Sequence, residues 1–128
     1  MKDDIRVILA DNNVQDRESK KRLLNEQGIQ VVYETGDGKK ALENIKKLKP
    51  DVVVMDMILP GVDGLEILEE CREFTEYKPL FIIATALRRE GLIEQALAQG
   101  ANYYMMKPLS ATMLIKRIRQ IAASVGEG

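Results

Sequence analysis

The chain has 128 residues, 45% of them hydrophobic and 30% charged, with a net charge of −1. That is the size of one domain with its own core, and the balanced charge implies no strongly basic surface, so nothing in it argues for nucleic-acid binding by this chain alone. Histidine is absent and cysteine occurs once, at Cys71, which excludes Ser-His-Asp chemistry, histidine-ligated metals, an internal phosphohistidine and an intramolecular disulfide. No apolar stretch approaches the roughly 18 residues that cross a bilayer. Met1 is followed by Lys2-Asp3-Asp4 rather than by an apolar h-region, so no secretory leader and no membrane attachment are expected. A cytoplasmic setting fits, with Cys71 a packed helix residue.

In chain order, residues 5–10 (IRVILA) read as a buried strand, and Asp11-Asn12-Asn13 as turn and N-cap types. Residues 14–27 form a polar helix with Leu23 and Leu24 on its apolar stripe, ended by Gly28. A second strand is expected over 29–33, then a turn, Thr35-Gly36-Asp37-Gly38, with Asp37 a candidate N-cap. The second helix covers 39–49, with Ala41, Leu42, Ile45 and Leu48 at helical spacing, and Pro50 stops it. Val52 to Met55 is an apolar run ending at Asp56, and Pro60, Gly61 and Gly64 turn the chain into a third helix over 65–74. The fourth strand is placed at 80–84, the fourth helix at 88–99, the fifth strand at 101–106 and the last helix at 111–123, leaving 124–128 as a frayed tail or the start of a linker.

Five strands alternating with helices of ten or so residues predict right-handed βαβ units, hence one doubly wound α/β domain over residues 1–123 with helices on both faces of a parallel sheet. The first, third and fourth strands are the most apolar and belong in the middle. The second and fifth, with Tyr33 and Tyr103-Tyr104, belong at the edges. The flavodoxin-like order 2-1-3-4-5 satisfies this and puts the switch point between strands one and three.

In such a sheet the carboxyl ends of the strands share one edge. Strand one ends at Asp11-Asn12, strand three at Asp56, strand four at Thr85 and strand five at Lys107. Two carboxylates, a hydroxyl and an ammonium then converge. One carboxylate can attack phosphorus, the other can hold Mg²⁺, which takes oxygen ligands, and the ammonium and hydroxyl can neutralise phosphoryl oxygens. Each residue also has an ordinary explanation. Asp11 and Asn12 serve as caps, Asp56 as a loop cap, Thr85 as a strand end and Lys107 as a solvated lysine. The joint occurrence favours the site.

The turn in ILADNN, DMILPGVDG around Asp56, the pair Thr85-Ala86 and YYMMKP around Lys107 resemble, in this order and spacing, the receiver domain of bacterial two-component response regulators over essentially the whole chain. The LADN turn, GANYYMMKP and the KRIRQI helix look most like the receiver half of the sporulation transcription factors of spore-forming Firmicutes. The resemblance implies that Asp56 is the phosphoacceptor, and that Asp11, position 12, Asp56 and the Ile58 backbone carbonyl form the Mg²⁺ site. Thr85 would bond the phosphoryl group and Tyr104 would change rotamer with it. Lys107 would contact the phosphoryl oxygens, with a cis Lys107-Pro108 bond. It implies a histidine kinase or histidine phosphotransfer protein as donor. The output would be a shift in the face made by helix four, strand five and helix five, which would control a homodimer or a linked effector, DNA-binding in a transcription regulator.

The sequence departs from the family at Asn12, where a second acidic residue is usual. An amide oxygen ligates a hard cation without adding charge, so weaker Mg²⁺ binding is expected. The departure also opens an alternative, a receiver-like interaction module that works without phosphorylation. A phosphatase with an aspartyl nucleophile is disfavoured, because that class carries a second acid two residues on and Ile58 stands there. Apolar Ile58 and Leu87 at the rim predict a long-lived phospho-form, since they orient no water for attack. On helix five, Lys116, Arg117 and Arg119 are either partners for acidic groups across a dimer or a solvated face. Gly36-Asp37-Gly38-Lys39 lacks the spacing of a phosphate loop and reads as a turn with a cap.

Overall fold

The computed structural model describes residues 4–86 and 90–126. Five strands, β1 (Arg6–Ala10), β2 (Gln30–Thr35), β3 (Val52–Asp56), β4 (Leu80–Thr85) and β5 (Tyr103–Met106), alternate with α1 (Val14–Glu26), α2 (Gly38–Leu48), α3 (Gly64–Arg72), α4 (Glu90–Ala98) and α5 (Ala111–Gly126). The sheet is parallel throughout, in the order β2-β1-β3-β4-β5, as the apolar ranking of the strands predicts.

The alternation of side chains along each strand builds two cores. Ile8, Val53, Met55, Phe81 and Ile83 face α2 and α3 through Ala41, Ile45, Ile67 and Leu68, with Ala96 of α4 in the same cluster. Val7, Leu9, Val52, Val54 and Ile82 face Leu24 of α1 and Leu114 and Ile118 of α5. Both faces of the central strands are therefore covered, which is why their sequences run apolar instead of alternating. Each fully buried aliphatic side chain contributes roughly 1.5–3 kcal/mol.

Helix ends follow local chemistry. Asn13 caps α1 by accepting the Asp16 N–H at 2.9 Å, so the capping role open to Asp11 and Asn12 falls to the third residue of that cluster. Asp37 accepts the Lys40 N–H at 2.9 Å, and Asp63 accepts the Glu66 N–H at 3.0 Å. Gly28 follows α1 at φ +81. Lys49, between the end of α2 and Pro50, takes the left-handed φ 49 that closes many helices, with its N–H still bonded to the Ile45 carbonyl at 3.0 Å.

Some boundaries differ from expectation. Strand β2 runs on to Thr35, which is buried, because its last residues pair with Leu9 and Ala10. Helix α5 extends to Gly126, three residues past the expected end. No breaker precedes that glycine, and the Ser124 hydroxyl donates to the Ile121 carbonyl at 2.8 Å. Leu87, Arg88 and Arg89 lie outside the described residues. No helix among the described residues is long and apolar enough to cross a membrane.

Candidate functional site

The parallel register aligns the strand ends. Ala10 pairs with Met55, Asp56 with Ala84 and Thr85 with Met106, so Asp11, Asp56, Thr85 and Lys107 stand along one edge, at the switch point between β1 and β3. The Lys107 ammonium lies 2.8 Å from Asp56 Oδ2 and 2.8 Å from Asp11 Oδ2. All three side chains are mostly withdrawn from water, with 15–18% of their surface exposed, so these charge-assisted bonds are screened far less than a surface pair.

Each member is held by its own backbone neighbourhood. Asp11 accepts the Asn13 N–H through Oδ1 at 2.9 Å, while its own N–H reaches the Thr35 carbonyl at 3.0 Å. Asp56 Oδ1 accepts the Ile58 N–H at 3.2 Å, which ties the start of the loop after β3 to the carboxylate. The Lys107 N–H donates to the Thr85 carbonyl at 2.8 Å, and the Lys107-Pro108 bond is cis, as the resemblance implied. Burial works against the Lys107 charge, but hydrogen bonds and Coulombic attraction from Asp11 and Asp56 outweigh it and raise the lysine pKa above its ordinary value.

Thr85 is 2% exposed. With half-buried Tyr104 it lines a void of about 10 Å³, closed by Met57, Ile83, Leu92, Ile93 and Ala96. The room for Thr85 and Tyr104 to rearrange is therefore small, at the lower limit for one water. Asn12 stands exposed at the rim and Ile58 is 57% exposed. Leu87, the other rim residue, is outside the described part.

Two residues near the site were not singled out from the sequence. Arg17 of α1 donates through Nη1 to the Asp11 carbonyl and, with Lys20, borders the crevice beside Asp11 and Asp56. Nothing in its spacing marks it among the other cations of α1. Gly38, taken as part of a turn, meets the loop after β3 directly.

The donor set fits a hard divalent cation. Two carboxylate oxygens, Asp11 Oδ2 and Asp56 Oδ2, face one point, now held by an ammonium, and oxygen ligands of this kind are what such a cation takes. The fit is a lean one, since no group of three His, Cys, Asp or Glu side chains occurs among the described residues.

Behind the site lies the face of α4, β5 and α5. It carries a groove of about 570 Å³ bordered by Leu97, Tyr103, Tyr104, Met105, Met113 and Arg117. The basic side chains of α5 are partly engaged within the chain. Arg117 lies 4.6 Å from the centre of the Tyr103 ring and donates to Gln120 Oε1 at 2.7 Å. Arg119 donates to the Gln27 carbonyl at 2.7 Å, capping α1.

The family model of the response regulator receiver domain matches residues 7–119. The transcriptional regulatory protein PdtaR of Mycobacterium tuberculosis is 34% identical over 129 residues, covering 95% of this chain and 62% of that protein. The transcriptional regulatory protein TrcR of the same organism is 38% identical over 120 residues, covering 90% of this chain and 44% of that protein. This chain thus spans less than two thirds of the length of either. Among solved structures, the signal receiver domain of NarL from Mycobacterium tuberculosis superposes with a TM-score of 0.88 at 31% identity, covering 95% of this chain and 98% of that one. These relatives are mycobacterial regulators, not sporulation factors, so the narrower likeness drawn from the LADN turn finds no support in them.

Proposed function

The chain belongs to the response regulator receiver domain family, and on that premise we propose that its crevice is a phosphoacceptor site with Asp56 as nucleophile. A partner phosphohistidine protein, a histidine kinase or a histidine phosphotransfer protein, supplies the phosphoryl group. The N–P bond of the donor breaks, an O–P bond to Asp56 forms, and the donor imidazole leaves with its electron pair. Asp11, Asp56, Asn12 and the Ile58 carbonyl would hold Mg²⁺, which supplies neutralising charge for phosphoryl oxygens when bound.

The observation that carries this proposal is the Lys107 ammonium placed 2.8 Å from both carboxylates. It keeps two anions close in the resting protein and offers a cation to an incoming phosphoryl group. Thr85, buried on the neighbouring strand end, then draws toward the new dianion. Tyr104, bordering the same void, follows it. The groove on the face of α4, β5 and α5 changes shape, and a second copy or a linked effector reads the change. The domain assists its own phosphorylation and does not turn over a substrate. Binding of nucleic acid, in a transcription regulator, would belong to the linked effector.

Intact mass after treatment with acetyl phosphate, with Mg²⁺ titrated, tests this. One phosphoryl adduct, absent from Asp56→Asn and needing elevated Mg²⁺, is the expected result. One specific observation favours a second reading: among the described residues two carboxylates, Asp11 and Asp56, serve the site, because position 12 is Asn. Absence of any adduct across the Mg²⁺ range would turn the assignment to an interaction module that works without phosphorylation.

A further inference from the structure

The loop between β3 and α3 carries Ile58, and its backbone is docked closely against the start of α2. The Gly38 N–H, the first of α2, donates to the Pro60 carbonyl at 2.9 Å. A Cβ built on Gly38 would lie 1.6 Å from the Val62 carbonyl oxygen and 2.7 Å from its carbon. The atoms it meets are main chain, not the movable end of a side chain, so no rotamer change relieves the overlap. The crown of the loop also lies against the start of α2, though less tightly. Gly61, at φ +85, would place a Cβ 3.3 Å from Asp37 Oδ1. The loop's far end closes on its own beginning, with the Gly64 N–H bonded to the Met57 carbonyl at 2.8 Å.

We infer that Gly38 is a positioning residue for the metal and phosphoryl site: by leaving space for the Val62 carbonyl, it lets the N-terminus of α2 set the height of the loop, and so of Ile58, the residue whose carbonyl would join that site. Gly38 touches neither carboxylate. It acts through Pro60 and Val62 on a loop whose other anchor is the Ile58 N–H to Asp56 Oδ1 bond of 3.2 Å. One of the amides a helix leaves unpaired at its start is thus spent on holding a loop of the site. The inference rests on the phosphoacceptor reading, since it assigns Ile58 a part in that site.

The test is Mg²⁺ affinity, followed by calorimetry or by backbone amide shifts, in wild type, Gly38→Ala and Gly91→Ala. Gly91 meets nothing within 4 Å of a built Cβ and controls for the generic effect of adding a methyl group. Gly38→Ala should weaken Mg²⁺ binding by about tenfold or more, the size of effect seen when support to a ligand is removed, and Gly91→Ala should leave it unchanged. A Gly38→Ala protein that melts earlier but binds Mg²⁺ as wild type does overturns the inference, because its role is then structural only. If Gly38→Ala does not fold, the wild-type titration decides. The Gly38 amide shift should move with the Ile58 shift as Mg²⁺ saturates, and a Gly38 amide that stays still overturns the role. Wild type that neither binds Mg²⁺ nor accepts a phosphoryl group overturns the phosphoacceptor reading, and Gly38's role with it.

Discussion

Lys107 Nζ lies 2.8 Å from Asp56 Oδ2, although 51 positions separate the two residues in the chain. The same ammonium is 2.8 Å from Asp11 Oδ2. One cation therefore balances two carboxylates at the carboxyl edge of the sheet, in the place where an external cation would also be drawn.

Lysine and metal then compete for the same oxygens. Lys107→Met removes the competitor and leaves two neighbouring anions. Mg²⁺ affinity should rise by about three- to tenfold, corresponding to a coupling of order 1 kcal/mol, while the yield of phosphoryl adduct at fixed Mg²⁺ falls because the group that meets the phosphoryl oxygens is gone. Calorimetric titration and intact mass on the same preparation would show the two quantities moving in opposite directions. A variant that loses both, or gains both, contradicts the competition.

Alkaline pH should destabilise the fold. Burial raises the Cys71 thiol pKa to about 12, burial also raises Tyr77, and for Lys107 burial lowers the pKa but the hydrogen bonds it donates to Asp11 and Asp56 outweigh this and raise it. In each case the folded pKa lies above the unfolded one, so the native state holds the proton longer. The contribution is whole below the ordinary thiol range and is lost as pH climbs through the raised values. Urea midpoints should stay flat near neutrality and fall from the ordinary thiol range upward, and Cys71→Ala should soften the first part of that fall. The native thiol should resist iodoacetamide at mildly alkaline pH and react once urea is added. Midpoints that rise with alkaline pH are incompatible with these directions.

Asn12→Asp restores a third negative charge at the crevice. Mg²⁺ affinity should increase about tenfold, and the protein without metal should lose roughly 0.5–1 kcal/mol from repulsion with Asp11 and Asp56, a modest cost because position 12 is exposed. Thermal melts with and without Mg²⁺ should show the variant less stable alone and more strongly stabilised by the metal.

Ile58 is 57% exposed at the mouth of the site and offers no hydrogen bond from its side chain to an attacking water. Ile58→Asn should shorten the life of the phospho-form by about tenfold or more, since orienting a water is worth at least that in a well-aligned site. Loss of the adduct followed by mass over time decides it. A wild-type phospho-form that already decays within seconds in Mg²⁺ would remove the reason for the prediction.

The order of the sheet was legible because burial writes itself into composition. Val52 to Met55 had to be central, as four successive apolar residues need cover on both faces, and Tyr33 and Tyr103 marked strands with one side less enclosed. Asp11, Asp56, Thr85 and Lys107 were legible as a set because each follows an apolar run, and a parallel sheet brings such ends together. The end of β2 at Thr35 was not legible. Its pairing with Ala10 is a contact between distant segments, and locally the residue reads as a turn. Asn13 as the cap of α1 was one of three adjacent candidates, and only backbone direction chose among them. Asp63 as the cap of α3 left a readable sign in Glu66, three residues on.

The sequence by itself determined the alternation of elements, the two-faced core and the residue types gathered at one edge, because periodicity and strand ends are local properties. Only the tertiary structure decided that a single ammonium bridges Asp11 and Asp56, that Arg119 is spent on the α1 terminus at Gln27, and that Gly38 seats the Val62 carbonyl. These are contacts between segments remote in the chain, fixed by how the helices settle on the sheet to within fractions of an ångström, and no local pattern of residues encodes a distance of that kind.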